Sequence, residues 1–328
     1  MNTVLLSRPV EPEKNFDVES NTGNLVYRSA VHKQIPHSEM FDWSEFNEIK
    51  NSKADLFVVP LANTFREGYE LSDEFVDNWI KAIDGRPLIG IGMGTGGAEV
   101  GQIMNPSANV LRWTRSFSAI WTRGRITTEA LSRFDIPSTP GTCPSLFETG
   151  KPPIYRGFNR IGVSNACGNM KSRKVEEFFI QRSCGTVFVQ GNRETLDLYK
   201  DGKLTEIAQR TLAAGFDPAR LKGFFDLEKW SRELKKHDLL IGPRFHCASL
   251  AFASGVPSVV IPIDVRTQEL CQSFGMPALP WNDLDDFQKR ISFDPDAFER
   301  NRRFLFRRYK AFLHTAGISV STSSRFDR

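Results

Sequence analysis

Short apolar runs, each the length of a buried strand, alternate along this chain with stretches of helical periodicity, and that alternation restricts the fold to parallel sheets wrapped by helices. In the first half the runs are Leu56 to Leu61, Leu88 to Gly92 and Phe117 to Trp121. Between the first two, Ser72 to Ile83 repeats Phe75, Trp79, Ile80 and Ile83 at helical spacing. In the second half we expect strands over Arg160 to Ser164, Thr186 to Gln190, Asp238 to Ile241 and Ser258 to Ile263. Helices are expected over Lys171 to Arg182, Thr205 to Ala214, Leu227 to Lys236, Phe245 to Ser254 and Gln268 to Phe274. The Pro- and Gly-rich segment Gly141 to Gly157 reads as a linker. The chain of 328 residues exceeds one small core. Two α/β domains facing across a cleft, 1–150 and 151–282, are the simplest arrangement. Helices over 283–318 and a disordered Ser-rich tail over 319–328 complete the expected organisation.

Asp238 to Asp264 forms a β-α-β unit that carries the strongest chemical signal, because Arg244 and His246 fall where the strand gives way to the helix. Ligands of such units collect at the carboxyl ends of the strands, where helix N-termini supply free N–H groups and the positive end of the dipole. Arginine grips phosphate or carboxylate with a planar fork, and histidine titrates near neutral pH. The competing reading is an Arg paired with a nearby acid and a His packed beneath the loop. Arg266 and Thr267 follow the next strand on the same rim. In the first half, Arg123 and Arg125 lie between a strand and a helix whose expected cap is Thr127. They suit an anion site equally well as a solvated surface.

Other strand-end loops are polar. Asn21, Gly23 and Asn24 precede the first helix, either capping it or lining the cleft. Asn165 and Asn169 end one strand of the second half and Glu194 follows the next, where they suit sugar hydroxyls or an ordinary surface. The glycines of GIGMGTGG permit close backbone approach but match neither a dinucleotide fingerprint nor a P-loop.

Composition excludes several classes. The formal charge of +4 is too small and too evenly spread to argue for nucleic acid. No apolar run reaches a membrane span of roughly 18 residues, and the amino terminus lacks the pattern of a secretory leader, so a cytoplasmic protein is expected. Cys143, Cys167, Cys184, Cys247 and Cys271 form no CxxC pair and read as reduced thiols, and no metal-ligand cluster is evident. One charge run stands apart: Arg300, Arg302, Arg303, Arg307, Arg308 and Lys310 interleave with Phe304, Phe306, Tyr309, Phe312 and Leu313. This is either a helix packed by its aromatic stripe or a basic amphipathic helix on the inner face of a membrane.

Taken together, these motifs resemble the polysaccharide pyruvyl transferase family. The segment IGPRFHCASLAFASGVPSVVI is similar to that family's strand, Arg-x-His, helix and Gly-Val-Pro-strand signature. NTGNL, ANTF, TRGRITTEAL and GTCPSLF are weaker matches in the same order, and Gly23-Asn24 departs from the family's frequent Gly-Asp. The resemblance implies two Rossmann-like domains in a GT-B-like arrangement, with the acceptor on the first domain and the donor on the second. It implies phosphoenolpyruvate as donor and a saccharide diol as acceptor, lipid-linked or polymeric, giving a cyclic ketal and phosphate without a cofactor. By motif match, Arg244 and His246 are the donor-binding and catalytic pair, with Arg123 beside them. Two alternatives stand: glycosyl transfer from a nucleotide sugar, with Glu194 or Glu269 holding the ribose, and a silent saccharide-binding partner.

Overall fold

The computed structural model describes residues 1–11, 21–96, 105–150, 152–155, 157–166, 169–182, 184–191, 199–200, 203–204, 206–213, 215 and 217–320. Two parallel sheets dominate it. The first contains β1 (Thr3–Leu6), β2 (Glu39–Phe41), β3 (Leu56–Pro60), β4 (Leu88–Met93), β5 (Ala119–Thr122) and β6 (Ser138–Thr139), in the spatial order β2-β1-β3-β4-β5-β6. Helices α1 (Gly23–Gln34), α2 (Phe46–Asn51), α3 (Asp73–Ile83), α4 (Ala108–Arg115) and α5 (Arg125–Ser132) connect these strands.

The second sheet contains β7 (Ile161–Ser164), β8 (Cys184–Val189), β11 (Leu221–Gly223), β12 (Leu239–Gly242) and β13 (Ser258–Val260), in the order β11-β8-β7-β12-β13. A small antiparallel pair, β9 (Tyr199–Lys200) with β10 (Lys203–Leu204), precedes the helix at Glu206–Ala213. The helices here are α6 (Met170–Arg182), α7 (Glu206–Ala213), α8 (Leu227–Leu234), α9 (Phe245–Ala253), α10 (Val265–Phe274), α11 (Phe287–Arg290) and α12 (Pro295–Thr315). Two Rossmann-like sheets in one chain, closed by terminal helices, make the fold GT-B-like.

Strand direction alternates side chains between faces, so each strand feeds two cores. Val4 and Leu6 join Phe57, Val59, Trp79 and Trp113 on one face of the first sheet. Leu5, Val58, Ile89 and Trp121 face the other way, into a cluster shared with Phe188, Leu240 and Val260 of the second sheet. The halves are therefore joined by a common apolar core.

Several expectations need correction. The segment Gly141 to Gly157 does not act as a solvated linker: Pro144–Glu148 is a 3₁₀ turn whose Pro144, Ser145, Leu146 and Phe147 are buried, packed against α1 and α9. Ile80 is exposed, and the inward positions of α3 are Val76, Trp79, Ala82 and Ile83. Helix α12 buries Phe306, Tyr309, Phe312 and Leu313, with Tyr309 and Phe312 ring centroids 5.2 and 5.6 Å from that of Trp121 in the first sheet. Its aromatic stripe is thus core. The expected tail falls, from 321 on, outside the described residues. No helix among the described residues is long and apolar enough to cross a membrane.

Candidate active site

In each sheet the chain reverses its direction of growth at one point, between β1 and β3 in the first and between β7 and β12 in the second. At such switch points the loops part and leave a crevice beyond the strand ends. The second crevice is built around Gly242, which has φ +141 and lies so close to Ser164 that a side chain would collide with that residue's backbone. The close approach brings Arg244 across the gap. Its backbone N–H donates to Ser164 Oγ at 3.1 Å, and its guanidinium donates to the carbonyls of Asn165 at 3.3 Å and Ala166 at 2.7 Å. Neutral carbonyls anchor the group, and no carboxylate lies within ion-pair distance of it among the described residues.

His246 sits in the first turn of α9, partly exposed, with Nε2 3.7 Å from the buried Cys143 Sγ and its ring centroid 5.4 Å from that of Tyr27. Cys143 contacts Ser145 Oγ at 3.1 Å, and Ser145 contacts Ser249 at the same distance. This buried chain ties the 3₁₀ turn to α9. Arg123, after β5, is only 1% exposed. It donates from Nε to Gly92 O at 2.9 Å and from Nη1 to Asn63 Oδ1 at 3.0 Å. Its Nη2 is buried without a hydrogen-bond partner among the described residues. Arg266, at the start of α10, pairs with Asp264 at 2.9 Å. Burial, and then the fields of Arg123, Arg266 and Arg244, hold the His246 pKa well below its ordinary value, so the imidazole is neutral at pH 7.

The structure thus gathers Arg123, Arg244, Arg266 and His246 from both halves. Other expected positions serve different ends. Arg125 points to solvent and pairs with Glu129 at 2.7 Å, because the first turn of α5 directs it away from the crevice. Thr267 is fully buried in a capping box with Asp264, which takes up its hydroxyl and its N–H. Asn169 is exposed, and its Oδ1 accepts the Ser172 N–H at the start of α6. Asn165 Oδ1 accepts the Gln190 N–H and joins two strand ends. Glu194 lies outside the described residues.

Thr127 is not the cap of α5. Gly124 is, and Glu269 reaches from α10 to accept both the N–H and the hydroxyl of Thr127 at 3.0 and 2.9 Å. A Cβ at Gly124 would occupy the position of the Glu269 carboxyl. Asn21 Oδ1 accepts from Gly23 N and from Gln190 Nε2 at 2.9 and 3.1 Å, so it takes up the first N–H of α1, whose N-cap is Thr22, and links the halves at once. Gly23 lies where Gln190 approaches most closely.

The first switch point opens into a cavity of about 580 Å³ lined by Asn24, Tyr27, Asn63, Thr64, Tyr69 and Arg266, among others. Thr64 Oγ1 is buried there without a partner. Tyr27, Asn63 and Arg266 belong both to this cavity and to the surroundings of Arg123 and His246, so the two crevices are continuous. Sequence reasoning missed Asn63, Thr64, Tyr27 and Cys143 as site residues. ANTF and GTCPSLF contain three of them: ANTF directly follows the expected strand Leu56 to Leu61, a signal that could have found Asn63 and Thr64, whereas GTCPSLF falls in the segment that reads as a linker.

No curated relative matches the sequence. Among solved structures, a putative UDP-N-acetylglucosamine 2-epimerase from Listeria monocytogenes is similar at 9% identity and TM-score 0.49, covering 92% of this chain and 90% of that one. A functionally uncharacterized protein from Klebsiella pneumoniae is similar at 13% identity and TM-score 0.42, covering 83% and 87%. The glycosyltransferase SnogD from Streptomyces nogalater is similar at 14% identity and TM-score 0.34, covering 86% and 76%. The sequence pattern described as polysaccharide pyruvyl transferase matches residues 20–265, well over half of the chain and including Arg123, Arg244 and His246, and the chain belongs to that family of transferases.

Proposed function

We propose that this transferase moves pyruvate from phosphoenolpyruvate to a pair of hydroxyls on a saccharide, closing a cyclic ketal and releasing phosphate. The donor brings a phosphate and a carboxylate, and Arg123, Arg244 and Arg266 are three guanidinium groups within electrostatic reach of one imidazole. The observation that carries the reading is Arg123 Nη2, a buried charged donor with no acceptor among the described residues. Leaving such a group unmet costs about 1–3 kcal/mol or more, which an anionic ligand would recover.

In the reaction the donor methylene gains a proton, and C2 becomes electrophilic. One sugar hydroxyl attacks C2 and gives up its proton. The C2–O bond to phosphate breaks, and the second hydroxyl closes the ring as phosphate leaves with a proton. Neutral His246 fits the part of base for an attacking hydroxyl better than that of a cation holding phosphate. The fixed guanidinium groups stabilise charge on the departing phosphate. The cavity at the first switch point, continuous with the donor crevice, suits the acceptor: Tyr69 offers a ring face and Asn63 and Thr64 offer polar groups. Of the two carboxylates that a nucleotide-sugar reading offers for ribose, Glu269 is committed to Thr127, and Glu194 lies outside the described residues.

Calorimetric titration with phosphoenolpyruvate, beside UDP-, GDP- and CMP-linked sugars, tests the reading. Saturable binding of phosphoenolpyruvate, weakened about tenfold or more in Arg244→Ala and in Arg123→Lys, is expected from the loss of charged hydrogen bonds. Selective binding of a nucleotide sugar would replace pyruvyl transfer with glycosyl transfer.

A further inference from the structure

The outward face of α12 has no role in the reading above. The positions 300, 303, 304, 307, 310, 311 and 314 follow helical spacing and are all exposed, opposite the buried Phe298, Arg302, Leu305, Phe306, Tyr309, Phe312 and Leu313. Four of the outward residues are Arg300, Arg303, Arg307 and Lys310, and the one acid on their stripe is Asp296 in the first turn. Arg303 pairs with Glu299 at 2.7 Å, and Arg300 approaches Asp294 only to 3.9 Å. Arg307 and Lys310 have no carboxylate within ion-pair distance among the described residues. In the middle of this basic stripe stands Phe304, 57% exposed, with the Arg308 guanidinium 5.8 Å from its ring centroid.

Four cations set around one outward phenyl ring make a surface complementary to an anionic lipid bilayer. The charges meet headgroups, and the ring enters the boundary between headgroup and acyl chain. A soluble polyanion would satisfy the arginines and leave the ring in water, so the phenylalanine decides between the two. The 21 residues of α12 span about 30 Å, and their inner face is bolted to Trp121 and Phe147, so the stripe is held rigid. We propose that the outward face of α12 docks this protein onto anionic membrane surfaces, in the manner of a peripheral protein with no inserted span. The inference stands independently of the donor chemistry.

Co-sedimentation of the full chain with vesicles tests it, comparing equal parts phosphatidylglycerol and phosphatidylcholine with phosphatidylcholine alone. Binding to the mixed vesicles only is expected, weakening as salt rises. Arg307→Gln and Lys310→Gln should each reduce that binding about fivefold, the equivalent of about 1 kcal/mol per basic residue near the surface. Phe304→Ser should weaken vesicle binding while leaving binding to heparin, a soluble polyanion, unchanged. All three positions are exposed, and phosphoenolpyruvate titration of each variant should match the parent, which separates loss of docking from loss of fold or of donor binding. Absence of vesicle binding, indifference to lipid charge, or vesicle binding that Phe304→Ser leaves intact would overturn the proposal, the last in favour of a soluble polyanion.

Discussion

His246 combines two properties that a surface histidine lacks: it is surrounded by three arginines and is excluded from much of the solvent. Both disfavour the imidazolium. His32 is pushed down to about 4, by burial first and then by His37 and Arg28, and His237 is also lowered, chiefly by burial. The chain has five histidines, few enough to follow individually by NMR. In the free protein we expect His246 to titrate well below the ordinary value near 6.5 and His32 near 4. A folded-state pKa below the unfolded one means the unfolded chain binds more protons in the interval between them. Stability contributed by these groups is therefore full above about pH 6.5 and is lost as pH falls toward 4, the folded value of His32. Thermal melts of His32→Gln should show a shallower decline over that window; an unchanged slope would contradict it. His246→Ala should remain folded and lose phosphate release by about 10²–10⁴, the usual contribution of a general acid or base. Near-normal turnover would remove His246 from the mechanism.

At the scale of elements, helix ends do much of the positioning. The capping box of α10 engages Asp264 and Thr267, and the same Asp264 holds Arg266 at 2.9 Å, so a local helix signal also fixes a site residue. Asp264→Ala should cost about 0.5–2 kcal/mol of stability, typical of a lost N-cap, and should also weaken phosphoenolpyruvate binding; a pure stability effect would separate Arg266 from the donor crevice. In α12, Tyr309 packs on Trp121 and Phe147, but its hydroxyl is buried without a partner. Tyr309→Phe should therefore raise the melting temperature, by roughly 1 kcal/mol of removed desolvation cost, whereas Tyr309→Ala should lower stability by roughly 3–5 kcal/mol. A destabilised Tyr309→Phe would indicate that the hydroxyl has a partner after all. Sequence periodicity placed the long central strands and the helices that pack on them, but gave no sign of short elements such as β2, α2, α4 and β11. It missed β1, whose TVLL is only four residues long, and misassigned Ile80 because an apolar residue at helical spacing carries no label for which side of the stripe it occupies.

For the molecule as a whole, the two sheets are coupled by apolar and polar contacts together. One cluster contains Leu5, Trp121, Phe188, Leu240 and Tyr309, while Glu269 of the second half accepts the N–H and hydroxyl of Thr127 in the first turn of α5. We expect one cooperative unfolding transition by both near- and far-ultraviolet circular dichroism. Two resolved transitions would show that the halves fold independently. Glu269→Ala leaves the Thr127 donors unmatched and should cost about 1–3 kcal/mol. That coupling was not legible in the sequence, where Gly141 to Gly157 carried the Pro and Gly signature of a linker. Turn residues mark a change of chain direction, and they do so equally in solvent and in a packed 3₁₀ turn.

The sequence alone determined the alternation of strand and helix, the parallel character of both sheets and the placement of Arg244 and His246 at a strand end. These follow from local periodicity and from the stereochemistry of a β-α-β unit. Only the tertiary structure decided that Arg123 faces inward while Arg125, two residues on, faces water. It also decided that Thr267 and Asn169 serve helix ends, and that Cys143 meets His246 across 103 positions of chain. Period and propensity act within a few residues. Which charged donor remains unmatched in the interior is set by neighbours far off in the chain, such as Gly92 and Asn63 beside Arg123, and no local pattern encodes them.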